Sequence, residues 1–570
     1  MSRSTSWKYA SCLAMMALLM GYVLWQSQYL PSTSSFRERS SVSKHYSTHS
    51  ALNTATNYTS LAPGDLPGYT GWGRPTFTLA GYFAIEHEDP IVMTALEPWR
   101  ATLVCRDHPL CAMGNAQFFV RAYGPAILTG TVTPLDRTSR TTSDFDSEFR
   151  YQVLLETIQD PGTYTVEVVL TFSHPPNVTD FPIPEKDLAR YHLQYEGHLL
   201  PGFPRILNVL DEKKTNEAKS ISPISNKNEK KSAAALCNLD QLTIQRPIDG
   251  LTQGRWKVTQ LARLQKLNQT ASPTSKTLNQ VSLRRFQQGT NSLGINAEYK
   301  FNNCRLLPAP TEQLNPFAIC PSTKPIHILL IGDSVMRLQH TFFQAWVARA
   351  PHIQVDFIEL YGGYFLTQLQ TGPKIRHTLA QTPTNGAQRR FVLFNTGLHD
   401  IHRLCGTQYE AERHTYLRDD LRLQPCAAQY QLAIQDFVRA IRESAETTIP
   451  TTAVFQTSTA AWPKYGNWGV NFWDPRYGQP LPLDGTMIEW FNSLAWRALR
   501  SQQEQQQSSP NFQLHVVDAY WMSRSRPDDR EINKDQSIGK KLSHPGLQVL
   551  EAMSRVWMMV LLQTMCGGKG

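Results

Sequence analysis

The sequence predicts an all-β sandwich followed by a doubly wound α/β domain built on a parallel sheet. Three observations predict it. Between residues 76 and 210, short runs of strand composition follow one another and are punctuated by turn residues. From about Cys237, apolar runs alternate with stretches of helical spacing. Between these regions, residues 211–236 are rich in Lys, Asn, Ser and Glu, the composition of a disordered linker.

The chain has 570 residues, 41% hydrophobic and 10% aromatic, enough for more than one sizeable core. Its formal net charge is +9, with lysines crowded between Lys213 and Lys231 in the linker. A charge concentrated in a solvated linker does not describe a nucleic-acid-binding face, and no nucleic-acid partner is expected.

Arg3 and Lys8 precede the uncharged run Tyr9–Trp25, and no further charge occurs before Arg37. The run is at the short end of the membrane-spanning range, and the basic residues before it keep that end in the cytosol. The alternative is a cleaved signal peptide, but Trp25–Pro31 is too bulky for a small-x-small cleavage site. The expected order is a cytosolic tail (1–8), a signal-anchor helix (9–25) and a Ser-, Thr- and Asn-rich stem (26–75). A short span suits the thinner membranes of the early secretory pathway, which gives a single-pass type II protein of the Golgi with its remaining domains in the lumen.

Of nine cysteines, Cys12 lies in the apolar run, leaving an even number for a disulfide-permitting compartment. Local pairs Cys105–Cys111 and Cys405–Cys426 are expected, and without a CxxC pair no zinc site is. Sequons at Asn57, Asn177 and Asn268 are compatible with lumenal glycosylation.

Within residues 76–210, strands are expected at Ala116–Tyr123 and Tyr151–Glu156, and after the Pro161-Gly162 turn through Thr171. In the α/β region, strands are expected at Ile326–Ile331, Ile353–Leu360, Arg390–Asn395, Thr452–Thr457 and Phe512–Asp518. Helices are expected from about Ser334, over Ala427–Ser444, Met487–Gln502 and Gly546–Met565. Glu551 and Arg555 argue against a second membrane span in the last of these. In such sheets the ligand site lies beyond the carboxyl ends of the strands.

Three blocks fall at that edge. Gly332-Asp333-Ser334 joins the first strand to a helix. Gly332 permits a sharp turn, and the helix N-terminus favours negative charge developing beside Ser334. The competing reading is an Asp or Ser that simply caps the helix. Asn395 and Gly397 follow the third strand, where the Asn amide is a candidate oxyanion donor and turn chemistry is the alternative. Tyr361-Gly362-Gly363-Tyr364 follows the second strand and offers a further backbone donor. His544, in Ser543-His-Pro-Gly546 before the last helix, is placed to act as general base to Ser334.

In this order, Gly-Asp-Ser, Asn-x-Gly and a late His resemble the SGNH/GDSL hydrolase fold. More narrowly, Gly254-Arg-Trp, the Cys304 segment, Gly332–Arg337, Asn395–Asp400 and Ala460–Asn467 resemble its PC-esterase branch, which includes the trichome-birefringence-like and neurexophilin/PC-esterase (NXPE) proteins. Tyr195–Pro204 resembles the last strand of filamin-type immunoglobulin-like domains. The resemblance covers roughly residues 76–210 and 237–566.

The resemblance implies an immunoglobulin/filamin-like sandwich (76–210) before an SGNH-like domain (237–570), and glycan O-acetyl transfer or O-acetyl ester cleavage in the secretory pathway. A glycan is then the acceptor, and an acetyl donor, with acetyl-CoA as one candidate, is a co-substrate rather than a bound cofactor. Carried over by position, Ser334 is the nucleophile, His544 the base and Asn395 an oxyanion donor. The family's acid stands three residues before the histidine, where this chain has Lys541. Asp535 and Asp518 are the candidate replacements, and a Ser–His dyad is the alternative. The departure also keeps open a non-catalytic glycan-binding or adhesion protein on the same scaffold. Arg337, one turn after Ser334, and Trp462, after the fourth strand, are candidate substrate contacts. His399 and His402 have metal-compatible chemistry but no third ligand nearby in sequence, so no metal is expected.

Overall fold

A strand run with one buried face alternates in exposure, whereas a strand covered on both faces does not. Both patterns occur here, in separate halves of the chain. The structure is a computed structural model. It describes residues 79–108, 111, 114, 116–135, 148–156, 158–172, 195–211, 235–260, 296–309, 317, 325–347, 350, 352–360, 371–381, 383, 385–405, 426–461, 485–504, 509–526, 529–532 and 540–565. The expected tail, anchor helix and stem, nearly all of the linker and the three sequons lie outside the described residues.

The first half is a β sandwich. After a 3-10 turn at Leu79–Tyr82 come β1 (Phe83–Glu88), β2 (Val92–Thr94), β3 (Trp99–Cys105), β4 (Gln117–Tyr123), β5 (Ala126–Pro134), β6 (Phe149–Leu155), β7 (Gly162–Phe172), β8 (Tyr195–Leu199) and β9 (Arg205–Leu210). One layer runs β1-β3-β6-β5 and the other β5-β4-β7-β9-β2, with β8 also on β7. Strand β5 belongs to both: Ile127–Gly130 pair with β4, and Thr131–Pro134 with β6. Trp99, Leu103, Tyr151 and Val153 of one layer and Phe118, Val120, Tyr164 and Val166 of the other share one buried core. The turn into β7 uses Gly162 at φ +139°, where a Cβ would stand 2.5 Å from Pro125, so the expected Pro-Gly turn needs glycine there.

The second half begins with α1 (Leu239–Leu242) and α2 (Asp249–Gln253), then the hairpin β10 (Gly254–Gln260) and β11 (Asn296–Phe301). This hairpin joins the sandwich: Trp256 and Lys257 pair with Ile127 and Ala126 of β5. No sequence period announces that pairing, which places Gly254-Arg-Trp at the seam between the two halves.

The rest is the predicted α/β domain, in the order β12 (Ile326–Gly332), α3 (Ser334–Val347), β13 (Ile353–Glu359), α4 (Thr371–Ala380), β14 (Arg389–Phe394), α5 (Leu398–Cys405), α6 (Cys426–Thr447), β15 (Thr451–Gln456), α7 (Gly485–Glu504), β16 (Phe512–Val517), α8 (Tyr520–Arg524), β17 (Arg530–Ile532), β18 (Lys540–Pro545) and α9 (Leu547–Met565). The five long strands form a parallel sheet ordered β13-β12-β14-β15-β16. Every residue of β12 is buried, as a central strand covered on both faces requires. Helix α3 packs with α9, while α4, α5 and α7 pack around α6, one group on each face. Helix α4 is weakly periodic, and α5, though amphipathic with Leu398 and Ile401 buried one turn apart, spans only eight residues.

The polar residue in β12 has an ordinary explanation. His327 accepts from Arg390 Nε at its Nδ1 (3.3 Å) and so donates from Nε2 to Asp356 (2.8 Å). That is the neutral tautomer, in keeping with burial pushing its pKa down. Arg390 also donates to the carbonyls of Leu379 and Gln381, closing the edge of the sheet opposite the strands' carboxyl ends.

The expected Cys105–Cys111 disulfide is present, and Cys237 pairs with Cys304. Of the expected Cys405–Cys426 pair, the side chains lie outside the described set. Among the described residues no helix is long and apolar enough to cross a membrane.

The two bridges span 67 and 6 residues of sequence, so they restrict the unfolded chain unequally. Replacing Cys237 and Cys304 by serine is expected to lower stability by about 4 kcal/mol, against about 2 kcal/mol for Cys105 and Cys111, by loop-closure entropy. Denaturant unfolding of the two double variants tests this, and equal losses would contradict it.

Candidate active site

Numbered by order in the parallel sheet, the strands run 2-1-3-4-5. The order reverses direction between strand 1 (β12) and strand 3 (β14), and a crevice opens at that switch point beyond the strand ends. Ser334 follows β12 and Asn395 follows β14, so the two flank it. Gly332 is where β12 ends: a Cβ there would lie 2.8 Å from the Met336 side chain and 3.3 Å from the Asn395 carbonyl oxygen. Glycine lets strand, helix and the neighbouring strand end converge.

The two readings of Gly-Asp-Ser turn out to be compatible. Asp333 caps α3, its Oδ1 accepting from the Val335 N–H at 2.9 Å. Ser334 is thereby released to face the crevice, and its Oγ lies 2.6 Å from Nε2 of His544. Asp333 is buried, which pushes its pKa up, against the opposing pull of the capping N–H bonds and of the neighbouring His544 and Arg337 side chains. Its charge therefore lies within reach of the histidine although the two are not hydrogen-bonded partners.

Asn395 is buried at 3% exposure. Its Nδ2 donates to the Gln456 carbonyl at 2.9 Å, while its Oδ1 is buried and accepts nothing. The amide orientation is chemically fixed, because the reverse would oppose two acceptors. One N–H is committed to β15, leaving the second as the available donor. Gln456 in turn exchanges two 3.0 Å amide bonds with Gln339 of α3, so the nucleophile's helix and the Asn395 strand end are tied to the same buried amide pair.

Next to it, Thr396 bonds Asp400, and the Thr396 carbonyl accepts from Tyr430 (3.0 Å) and Ser458 (2.9 Å). Gly397 has φ +139° and no room for a Cβ, which would sit 2.4 Å from Ser458 Oγ.

His544 is held by residues that carry no sequence signal. The Asp529 carbonyl accepts from Gly546 N (2.8 Å), and its carboxylate accepts from Val549 N (2.8 Å) at the start of α9. Gln548 Oε1 accepts from Ala297 N of β11 (2.9 Å) and from both terminal nitrogens of Arg526, whose guanidinium lies 4.7 Å over the Trp256 ring. The end of β18 that bears the histidine is thus fastened, through α9, to the hairpin that extends the sandwich.

The remaining expected residues divide. Arg337 is at the same edge and pairs with Glu359 Oε1 at 2.5 Å, at the end of β13. Asp518 is at the edge too, but after the outermost strand. Its carboxylate accepts from Trp521 N (3.3 Å), Met522 N (3.1 Å) and Thr457 Oγ1 (3.4 Å), capping α8, and none of its bonds goes to His544. Asp535, Trp462 and Tyr361–Tyr364 lie outside the described residues, as does the side chain of Lys541. Among the described residues no group of three or more His, Cys, Asp or Glu forms a metal-binding cluster.

No protein-family model matches the chain, and no curated protein matches it. Among solved structures, a similar one is described as the crystal structure of the Lin-41 filamin domain, at 14% identity and a TM-score of 0.14, covering 23% of this chain and 94% of that one. The class of protein that the topology defines is a β sandwich followed by an α/β domain with a five-stranded parallel sheet.

Burial pushes the pKa of Asp518 from 3.8 up to about 6. A carboxyl raised in the folded state binds its proton more tightly there, so its contribution is most favourable below about pH 4. It declines as pH rises to about 6, by about 3 kcal/mol in all. The stability of the wild type minus that of Asp518→Asn, measured by urea unfolding, is expected to fall across that window and level off above it. A difference independent of pH would exclude a raised Asp518.

Proposed function

We propose that the chain is a lumenal glycan O-acetyltransferase working through a Ser334 acyl-enzyme. The observation that carries the reading is the 2.6 Å contact between Ser334 Oγ and His544 Nε2 at the switch point of the sheet. A serine paired with an imidazole at a helix N-terminus is the arrangement needed to form and stabilise an oxyanion. The order of the motifs, which resembles the PC-esterase branch of the SGNH fold, supplies the substrate class: an acetyl donor such as acetyl-CoA and a glycan hydroxyl. The two disulfides suit an oxidising compartment. The uncharged run Tyr9–Trp25 suits a Golgi type II anchor.

In this reading Ser334 Oγ attacks the acetyl carbonyl as His544 Nε2 takes its proton. The carbonyl oxygen becomes an oxyanion facing the Ser334 N–H and the second N–H of Asn395. Collapse expels the donor's leaving group, which takes the proton from His544 and leaves the acetyl ester on Ser334. The sugar hydroxyl then attacks that ester, giving its proton to His544, which returns it to Ser334 Oγ. Asp333 and Asp529 act on this sequence as positioning residues, one through the cap of α3 and the other through the turn after His544.

The full chain is incubated with labelled acetyl-CoA and acceptor polysaccharides, and the label is followed. Wild type is expected to acetylate sugar, and Ser334→Ala and His544→Ala each to lose on the order of 10⁴-fold or more of the rate. Release of free acetate instead would convert the reading to an esterase. Undiminished turnover in Ser334→Ala, or failure of Ser334 to react with a fluorophosphonate, would remove the acyl-enzyme altogether.

A further inference from the structure

A cleft of about 150 Å³ lies where the sandwich meets the α/β half, and none of Ser334, His544 or Asn395 lines it. A volume of that order holds one six-membered ring. Its walls come from β5, the loop after β6, α2, the hairpin β10–β11 and α8 with the residue after it. Gly250 and Gly254 form part of the lining, and neither can carry a side chain. A Cβ on Gly250 would lie 2.5 Å from Asp518 Cγ, and one on Gly254 would lie 2.7 Å from Tyr299 Cζ.

Two hydroxyls of otherwise buried residues open onto this cleft. Tyr299 and Ser525 are each 3% exposed. Among the described residues, neither side chain makes a hydrogen bond. Neither oxygen is a fully buried unsatisfied atom, so both are reachable from the cleft and free to bond a ligand's hydroxyl. Glu156, Gln159 and Thr129 line it as well, again with no side-chain bond among the described residues, and Trp521, Ile127 and Leu128 are apolar members of the lining. Arg255 is already committed, to Asp160 at 2.6 Å and Asn302 at 2.6 Å. Its charge is neutralised, and Glu156 opposes an anion.

We propose that this cleft is a second, non-catalytic binding site for one neutral saccharide ring. Hydroxyl groups, a carboxylate and an amide are the partners that vicinal sugar hydroxyls use, and indole rings suit a sugar's apolar face. The site stands whether or not Ser334 turns over.

The probes are the methyl glycosides of glucose, galactose, mannose and N-acetylglucosamine, titrated against the full chain carrying Ser334→Ala and followed by saturation-transfer NMR. At least one is expected to bind. Tyr299→Phe and Ser525→Ala, which keep the ring and the backbone, are each expected to weaken it about three- to tenfold. The matching methyl glucuronide is expected to bind more weakly than the neutral sugar. Absence of binding by all four, affinity unchanged in both variants, or a glucuronide bound as tightly would each overturn the proposal. Unchanged thermal midpoints of the two variants separate lost contacts from lost folding. Because Ser334 is already replaced, loss of acetyl transfer elsewhere leaves this result intact.

Discussion

The constraint on which the rest of the structure depends is the burial of β12 on every side. It is hydrogen-bonded to β13 on one edge and β14 on the other, and all seven of its residues are buried. A strand so confined has one place to end. At that end the chain must turn sharply, and glycine at position 332 meets the need where Met336 and the Asn395 carbonyl leave no room for a Cβ. Asp333 then satisfies the first turn of α3, and Ser334 is left with its side chain toward the crevice. The placement of Ser334 follows from strand packing before any chemistry is considered.

The opposite edge of the sheet shows the same physics with a different outcome. Arg390 and His327 are polar groups inside the sheet, and each is satisfied by neighbours on all sides. They close the base through bonds made within the fold. At the carboxyl-end edge Asn395 leaves Oδ1 without a donor and keeps one N–H in reserve. Unsatisfied groups are not confined to that edge, since His352 Nε2 before β13 is buried without a partner too; what sets Asn395 apart is its place at the switch point of the sheet.

What the sequence discloses and what it conceals follow from the same distinction. The five strands stand out as apolar runs because each is buried on both faces, and Ser334 and His544 stand out because they follow such runs. Asp529 and Arg526 are invisible in the sequence, since they belong to irregular segments where no period exists; Gln548 is in the first turn of α9, but its partner Ala297 is 251 residues away and bonds through its main chain. The pairing of Trp256 with Ile127 is hidden for a related reason: strand addition is made by backbone groups, which every residue carries. Asp518 is the instructive failure of the opposite kind. Its position at the end of the fifth strand resembles that of a triad acid, yet the strand is outermost in the sheet and the carboxylate turns inward to cap α8.

These contacts alter the standing of the sandwich. A module joined only by a linker would leave the histidine's turn to be fixed by its own domain. Here the hairpin β10–β11 pairs with β5 through Trp256, and Trp256 also donates from its indole nitrogen to the Met522 carbonyl at 2.8 Å. Arg526 lies over that same ring and reaches Gln548, and Gln548 accepts from Ala297 on the partner strand of the hairpin. Four residues after His544, the chain is therefore bonded to strands that extend the sandwich's own sheet. A shift of the sandwich relative to the parallel sheet would pull on the turn that sets the Ser334–His544 separation. The cleft onto which the Tyr299 and Ser525 hydroxyls open lies along the same seam, and Ser525 in its wall is the residue before Arg526. The seam between the two halves therefore carries the contacts that fix the end of β18 on which His544 sits.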